Sequence, residues 1–186
     1  MSTLTLKELS APAGEVIKIA AGKTLDLNSQ GTVKMPAGSV VQVVSGSSAT
    51  TAAAAVNHLD ILTVSITPSS TSSKVLITAS LSAFSNINHV AIQVLRNGTL
   101  IGQGSGSSLS AMVSASFDNN NYGSNGNASF GSNAICYLDS PSSTSAVSYV
   151  FRIKQASNET SIMYVNRNVS GWQGVTSNAT LQEIQG

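Results

Sequence analysis

The stretch AICYLDSPSSTSAVSYVFRIKQ, residues 134–155, decides the fold class of this chain. From Val147 onward, apolar residues occupy every second position and polar residues lie between them. A period of two residues is the pattern of a strand that buries one face of a sheet. Pro141, among serines and threonines, marks a turn between a strand that ends near Leu138 and the next strand. The sequence therefore predicts a β-sheet protein.

The same alternation recurs on both sides of this stretch. Asn97-Gly98 lies between two apolar runs and predicts a tight hairpin, because both residues tolerate positive φ. The number of runs, about nine to eleven, is typical of an antiparallel β-sandwich or jelly roll. The predicted strands lie within residues 39–46, 59–67, 74–84, 89–104, 109–117, 147–155, 161–165 and 179–184. Residues 47–56, SSATTAAAAV, are predicted to form a loop in preference to a helical turn.

The best candidate for a domain boundary is Met-Pro-Ala-Gly at residues 35–38. We expect residues 1–36 to be a strand-rich attachment or shaft segment and residues 37–186 to be a β-sandwich head. The runs within residues 14–36 are too short to form a stable domain alone. They could bury their apolar stripe against copies of themselves or another protein, which predicts a homotrimer. Alternatively, they form edge strands of the head.

Composition limits the partners that this chain can have. It has 9 basic and 8 acidic residues, so its net charge near +1 disfavours nucleic acid and anionic membranes as partners. Roughly a quarter of the residues are Ser or Thr, so hydroxyls and amides must cover much of the surface. The N-terminus lacks the pattern of a signal peptide, and no apolar run is long enough to span a bilayer. We therefore expect synthesis in the cytoplasm and no membrane insertion.

Several of these segments, taken in order, resemble a known group of proteins. They are similar to the C-terminal domains of tail fibres and related virion structural proteins of bacteriophages, especially phages of cyanobacteria and other aquatic bacteria. No single motif is diagnostic, and the similarity lies in order and spacing over about residues 37–186. The segments are VVQVV (40–44), DILTVSITPSSTSSKVLITASLS (60–82), VLRNGTLIGQG (94–104), YLDSPSSTSAVSYVFRI (137–153) and ATLQEI (179–184).

The resemblance implies a homotrimeric, non-enzymatic projection on a virion. The leading expectation is a tail fibre or fibre tip that binds a host surface glycan or protein. The alternative is a capsid head fibre or decoration protein held by its N-terminal segment. Besides copies of itself, the chain would contact a tail or baseplate adaptor, or the capsid. The candidate residues for attachment to the virion are Leu4, Leu6, Val16, Ile17 and Ile19.

Candidate receptor-binding residues lie in two stretches rich in Asn, Gly and Ser. Trp172 is flanked by glycines, and Tyr122 and Phe130 lie in residues 118–133 beside Asn121 and Asn125. Aromatic faces beside amide side chains suit sugar rings, which present both apolar C–H faces and hydroxyls. The alternatives are that Trp172 packs at the end of the sandwich or in the trimer interface, and that residues 118–133 form a plain surface loop.

Catalysis and metal binding find little support in the sequence. His58 and His89 lie in different segments, no serine has a nucleophile-elbow pattern, and the acidic residues are scattered. We therefore expect no enzymatic activity and no cofactor. One His from each of three chains could hold a metal ion on a threefold axis, although a lone His is more often structural. Asp139 and Arg152 are expected to make polar contacts at turns or between subunits.

The chain's one cysteine, Cys136, excludes an intrachain disulfide, and its apolar neighbours predict a small buried side chain.

Overall fold

The structure is a computed structural model that describes residues 13, 21–23, 35–85, 90–105, 109, 112–114, 132–156, 162–168, 171 and 174–186. The chain divides into two compact units, Met1–Lys34 and Met35–Gly186. Met35 begins the second unit, two residues before the boundary expected from the sequence. All of the strands described below belong to this second unit, which we call the head.

The described part of the head contains eleven strands and no helix. It has no helix that is long and apolar enough to cross a membrane. The strands are β1 (Val40–Ser48), β2 (Ala52–Ala54), β3 (His58–Ile66), β4 (Lys74–Ser85), β5 (Val90–Arg96), β6 (Thr99–Ile101), β7 (Val113–Ser114), β8 (Ser132–Asp139), β9 (Val147–Gln155), β10 (Met163–Val165) and β11 (Ser177–Ile184).

Every pair of neighbouring strands is antiparallel, and the strands form two sheets. In sheet 1 the order is β1-β11-β4-β10-β2, and β8 pairs with the other edge of β4. In sheet 2 the order is β3-β9-β5-β6, and β7 also pairs with β5. Five of the pairs are nested in sequence, with β5–β6 inside β4–β8, inside β3–β9, inside β2–β10, inside β1–β11.

One hydrophobic core lies between the two sheets. It combines residues of sheet 1, such as Ile77 and Leu181, with residues of sheet 2, such as Ile92 and Phe151, all fully buried. Burial alternates along β9 in the period of two that its sequence predicts. The prediction of an all-β, antiparallel fold is therefore confirmed, and two sheets around one core form the arrangement of a β-sandwich.

The two sheets come into close contact where a glycine of β1 faces a branched side chain of β3. A Cβ added to Gly46 in β1 would lie 2.7 Å from Cγ2 of Val64 in β3. Real Cβ atoms do not come this close, so the contact between these strands requires a residue without a side chain. This contact joins the edge strand of sheet 1 to the edge strand of sheet 2.

The structure confirms the predicted hairpin and corrects two other expectations. Asn97 and Gly98 both have positive φ, 47° and 84°, in the turn between β5 and β6. Residues 52–54 were predicted to lie in a loop, which is wrong, because they form β2 and pair with β10. The prediction that Cys136 is buried is also wrong, because alternation along β8 turns its side chain to the outer face of sheet 1. Of the strand predicted at 109–117, the described residues include Val113–Ser114 as β7.

Candidate functional site

The head has two distinct ends. We call the base end the one formed by residues 67–73, 97–98 and 140–146, which connect β3 to β4, β5 to β6 and β8 to β9. Gly38 and Gln185 also lie there, since the Gly38 amide donates to the Gln185 carbonyl at 2.8 Å. We call the opposite end, where β4 stops at Ser85 and β8 starts at Ser132, the tip end. The chain therefore enters the head at the base end.

The predicted receptor-binding residues Trp172, Tyr122, Phe130, Asn121 and Asn125 lie outside the described residues. The strands that flank their segments are described. β7 stops and β8 starts at the tip end, while β10 begins there at Met163 and ends opposite Ala83, close to the start of β11. Ser114 and Ser132 flank residues 115–131, while Val165 and Ser177 flank residues 166–176. The topology therefore connects both candidate segments to the end of the head opposite to the chain entry.

The attachment candidates also lie outside the described residues. They are Leu4, Leu6, Val16, Ile17 and Ile19.

At the tip end, Asn166 is the centre of a buried polar cluster. It is fully buried, and its side-chain amide donates to the carbonyls of Ser48 at 2.9 Å and Thr50 at 3.0 Å. Its side-chain oxygen accepts a 2.6 Å hydrogen bond from the Ser177 hydroxyl, which itself accepts from the Ser82 amide at 2.8 Å. One side chain therefore connects the end of β1, the tip-end part of β4 and the start of β11.

The backbone of Asn166 also has an uncommon conformation. Its φ is 54°, in the left-handed region that Asn tolerates better than most residues. Its amide donates to Ser82, and its carbonyl accepts from Val175 at 3.0 Å. Arg167 and Gly174 form an isolated bridge next to it. The two ends of the segment 166–175 are therefore fixed against β4 and against each other.

A second set of contacts at the tip end fixes the connection between β2 and β3. The Gln155 side chain donates to the carbonyl of Val56, and the Gln155 amide donates to the carbonyl of Asn57 at 3.1 Å. The Lys154 ammonium donates to the Asn57 side chain at 2.7 Å. The end of β9 therefore holds residues 56–57 through both backbone and side chains.

At the base end, the carboxylate of Asp139 in sheet 1 accepts hydrogen bonds from two residues of sheet 2. Its carboxylate is 2.9 Å from the Arg96 guanidinium and accepts a 2.7 Å bond from the Tyr149 hydroxyl. The same Arg96 nitrogen donates to the Ser140 carbonyl at 3.1 Å. Burial raises the pKa of Tyr149 far above its usual value of 10.0, and the hydrogen bond to Asp139 raises it further. Tyr149 therefore stays a neutral donor to the carboxylate.

Glu183 in β11 is the second buried carboxylate of the base end. It is 1% exposed, and its Oε1 accepts from the Ser69 amide at 2.7 Å and the Ser69 hydroxyl at 2.6 Å. Burial alone would raise the pKa of Glu183, but these hydrogen bonds outweigh it and lower the pKa below 4.5. The ionised carboxylate thus fastens the β3–β4 turn to the last strand.

Two neighbouring carboxylates could in principle serve acid–base chemistry, so their access to a substrate matters. Glu183 and Asp139 pair with Val75 from opposite sides, which places them two strands apart, on the order of 10 Å. Asp139 is 4% exposed and its oxygens are occupied by Arg96 and Tyr149. Both carboxylates are buried and form hydrogen bonds with other groups of the same chain. This arrangement is typical of side chains that stabilise a fold.

The remaining candidates have simple surroundings. His58 is exposed at the start of β3, and His89 lies outside the described residues. Within the part of the chain that is described, no group of three His, Cys, Asp or Glu side chains could hold a metal ion. Arg152 makes its ion pair with Asp60 on the neighbouring strand, at 3.0 Å, and not at a turn.

Sequence reasoning missed Asn166 and Glu183, and a signal existed for one of them. In ATLQEI, the inward positions are Ala179, Leu181 and then Glu183, so the alternation alone places a carboxylate on the core face. Asn166 lies in a chain with many Asn residues, and nothing local distinguishes it from the others. Its role depends on Ser48 and Ser82, which are remote in sequence.

No protein-family model matches the chain, and no curated protein matches its sequence.

Proposed function

We propose that this chain is a non-enzymatic structural protein of a bacteriophage virion, acting as a tail fibre or fibre tip that binds the host cell surface. A surface glycan is the first class of ligand to test. We further propose that the protein is made in the host cytoplasm, works as a homotrimer and is held on the virion through residues 1–36.

One observation carries this proposal. The chain enters the head at the base end, where Gly38 pairs with Gln185, and both aromatic candidate segments join strands at the tip end. A fibre needs its anchor and its receptor-binding surface at opposite ends. With residues 1–36 directed to the particle, the segments that contain Trp172, Tyr122 and Phe130 would be distal. This polarity is the physical reason for favouring a fibre tip.

The strand connectivity gives secondary support. We assign the five nested strand pairs to a jelly roll, in which a folded antiparallel ribbon wraps into two sheets. This fold occurs in viral capsid proteins and in lectins, so it agrees with a virion component that binds sugars. Because one fold hosts many functions, the connectivity alone does not choose between them.

Localisation on intact particles is the first test. Antibodies against the head, detected by immunogold, should label the distal end of the tail. Labelling spread over the capsid would overturn the tail-fibre proposal in favour of a head fibre or decoration protein. Absence of the chain from purified particles would overturn the virion role altogether.

Binding to host cells is the second test. Trp172→Ala should weaken attachment of the purified protein to cells without changing its melting temperature or its mass. Thr71→Ala, an exposed position at the base end, is the matched control and should bind like the wild type. A Trp172→Ala protein that unfolds would instead assign the tryptophan to packing, and equal binding by both variants would remove it from the receptor site.

A further inference from the structure

The outer face of sheet 1 is built from aligned rows of uncharged side chains. Towards the base end lies an aliphatic row, and towards the tip end the rows become small and polar. The aliphatic row is Val43, Leu76 and Leu138, with the amide of Gln182 between Val43 and Leu76. The next rows are Ser45, Thr180, Thr78 and Cys136, and then Ser47, Asn178, Ser80 and Ala134. Val40, Ile184 and Lys74 complete the face at its base end.

The exposed side chains of this face are unusual for a solvated surface. Val43 is 59% exposed, Leu138 is 48% exposed and Val40 is 47% exposed. Lys74 is the only charged residue in the set, and it lies at the margin, in the row closest to the base end. We call this set of residues the sheet 1 face.

The outer face of sheet 2 provides a comparison within the same molecule. It carries His58, Asp60, Arg152 and Lys154 on β3 and β9, and Arg152 forms an ion pair with Asp60. Exposed sheet surfaces commonly carry charges of this kind, which keep sheets soluble and discourage association. Among the described residues, the outer face of sheet 2 therefore carries the charges of Asp60, Arg152 and Lys154, whereas the sheet 1 face carries one charge, Lys74, at its margin.

We propose that the sheet 1 face is the surface through which copies of this chain associate. This inference rests on the proposed homotrimer and specifies which surface builds it. A rotation axis that runs from the base end to the tip end places aliphatic row against aliphatic row and hydroxyl row against hydroxyl row. The charged side chain of the face, Lys74, lies at its margin, so this arrangement places no charge in the centre of the contact. The faces of the three copies around such an axis therefore match one another in both polarity and charge.

The size of the face agrees with this role. Four strands spaced by about 4.8 Å and eight residues along β1 give an area on the order of 500 Å². Each partner in a standard interface contributes about 800 Å². The sheet 1 face is thus large enough to be the centre of an interface, with its rim contributed by neighbouring residues.

The test uses the full chain and charge substitutions on the two sheets. Leu138→Lys and Val43→Lys introduce a charge on the sheet 1 face at exposed positions, where a folded single chain tolerates it. Ser65→Lys introduces the same charge at an exposed position on sheet 2 and is the matched control. Light scattering should give an oligomeric mass for the wild type and for Ser65→Lys, and a lower mass for the other two. Circular dichroism verifies that every variant is folded.

Cys136 supplies an independent measurement that needs no variant. It is the single cysteine of the chain and lies on the sheet 1 face, so maleimide labelling reports on this surface alone. Labelling should be several-fold slower in the wild-type oligomer than in Leu138→Lys. Rapid labelling of a wild-type oligomer would overturn the assignment of this face and leave the homotrimer intact. A wild-type mass of one chain would overturn both, whereas localisation on the particle would still test the proposed function separately.

Discussion

Asp139 and Glu183 lie in the same row of sheet 1, one on each side of Val75, with both carboxylates buried at the base end. Their partners come from different parts of the chain. Asp139 binds Arg96 and Tyr149 of sheet 2, while Glu183 binds the turn at Ser69. Two buried carboxylates thus hold Arg96, Tyr149 and the turn at Ser69 in place at one end of the head, and each carboxylate can be tested separately.

Removing the positively charged partner of Asp139, the Arg96 guanidinium, should destabilise the head. Arg96→Met leaves a buried carboxylate without its ion pair, at an expected cost of about 2–4 kcal/mol in the free energy of unfolding. Arg152→Met breaks the exposed pair with Asp60 and should cost no more than about 1 kcal/mol. Urea denaturation measures both variants. Equal losses would show that Asp139 does not depend on Arg96.

The stability of the head should depend on pH through Glu183. Its pKa is lowered in the folded state, so the unfolded state binds the proton more readily below about pH 4.5. The contribution is therefore fully present above the unfolded pKa and is lost as pH falls through the folded pKa. Urea midpoints from pH 2 to 7 should fall more steeply towards acid in the wild type than in Glu183→Gln. If the urea midpoints of the two proteins fell equally with pH, the assignment of this pH dependence to Glu183 would be wrong.

Tyr149 should remain protonated in alkaline solution for as long as the head stays folded. Its pKa is raised, so its contribution to stability is present below the unfolded pKa near 10.0 and is lost as pH rises above it. Ultraviolet titration of the 4 tyrosines should show fewer ionising groups in the native protein than in urea. The Tyr149→Phe variant should remove that difference. Full ionisation of the native wild type at pH 11 would refute the buried hydrogen bond.

Substitutions of Asn166 should separate the cost of its hydrogen bonds from the cost of its backbone conformation. Asn166→Ala loses three side-chain bonds and keeps a positive φ, so we expect a loss of about 2–4 kcal/mol. Asn166→Gly tolerates the φ of 54° and should lose roughly 1 kcal/mol less. Asn97→Gly in the exposed hairpin turn is the control, with an expected change under about 1 kcal/mol. An equal stability of the two Asn166 variants would show that the conformation carries no cost.

Gly46 should not accept a side chain. Its added Cβ would lie 2.7 Å from Cγ2 of Val64, so Gly46→Ala is expected to cost about 1–3 kcal/mol through overpacking. Val64→Ala removes the opposing methyls, and the double variant should therefore lose less than the sum of the two single losses. Gly174→Ala, whose nearest contact is 3.9 Å away, is the matched control. Strictly additive losses would show that these residues do not touch.

Alternation in the sequence predicted most of the described strands and, where it is regular, their buried faces. In β4, for example, Val75, Ile77, Ala79 and Leu81 are buried as their period of two requires. The pairing of β1 with β11 could not be predicted, because local periodicity carries no information about a partner far along the chain. β2 was missed because three alanines have a low strand propensity, and their pairing with β10 overrides it.

The buried charges of the base end follow a rule that the sequence contains. Asp139 and Glu183 each occupy an inward position near the end of an alternating strand, and the half-buried Arg96 ends β5 in step with the core residues Ile92 and Val94. A charged side chain at an inward position needs a polar partner inside the fold. Its presence in the sequence therefore predicts a polar contact between two elements. Which groups meet, and which of two buried acids receives the arginine, depends on the arrangement of both sheets.

The outermost of the nested strand pairs has a consequence for synthesis on the ribosome. Residues 40–48 leave the exit tunnel early, but their partner strand is residues 177–184. Sheet 1 therefore stays incomplete until that last strand has been translated, and the edge of β4 that β11 covers stays open with it. Such distant pairing slows folding and leaves strand edges exposed to other chains in the meantime. Newly made copies would thus be most vulnerable to mispairing in the interval before residue 184 emerges.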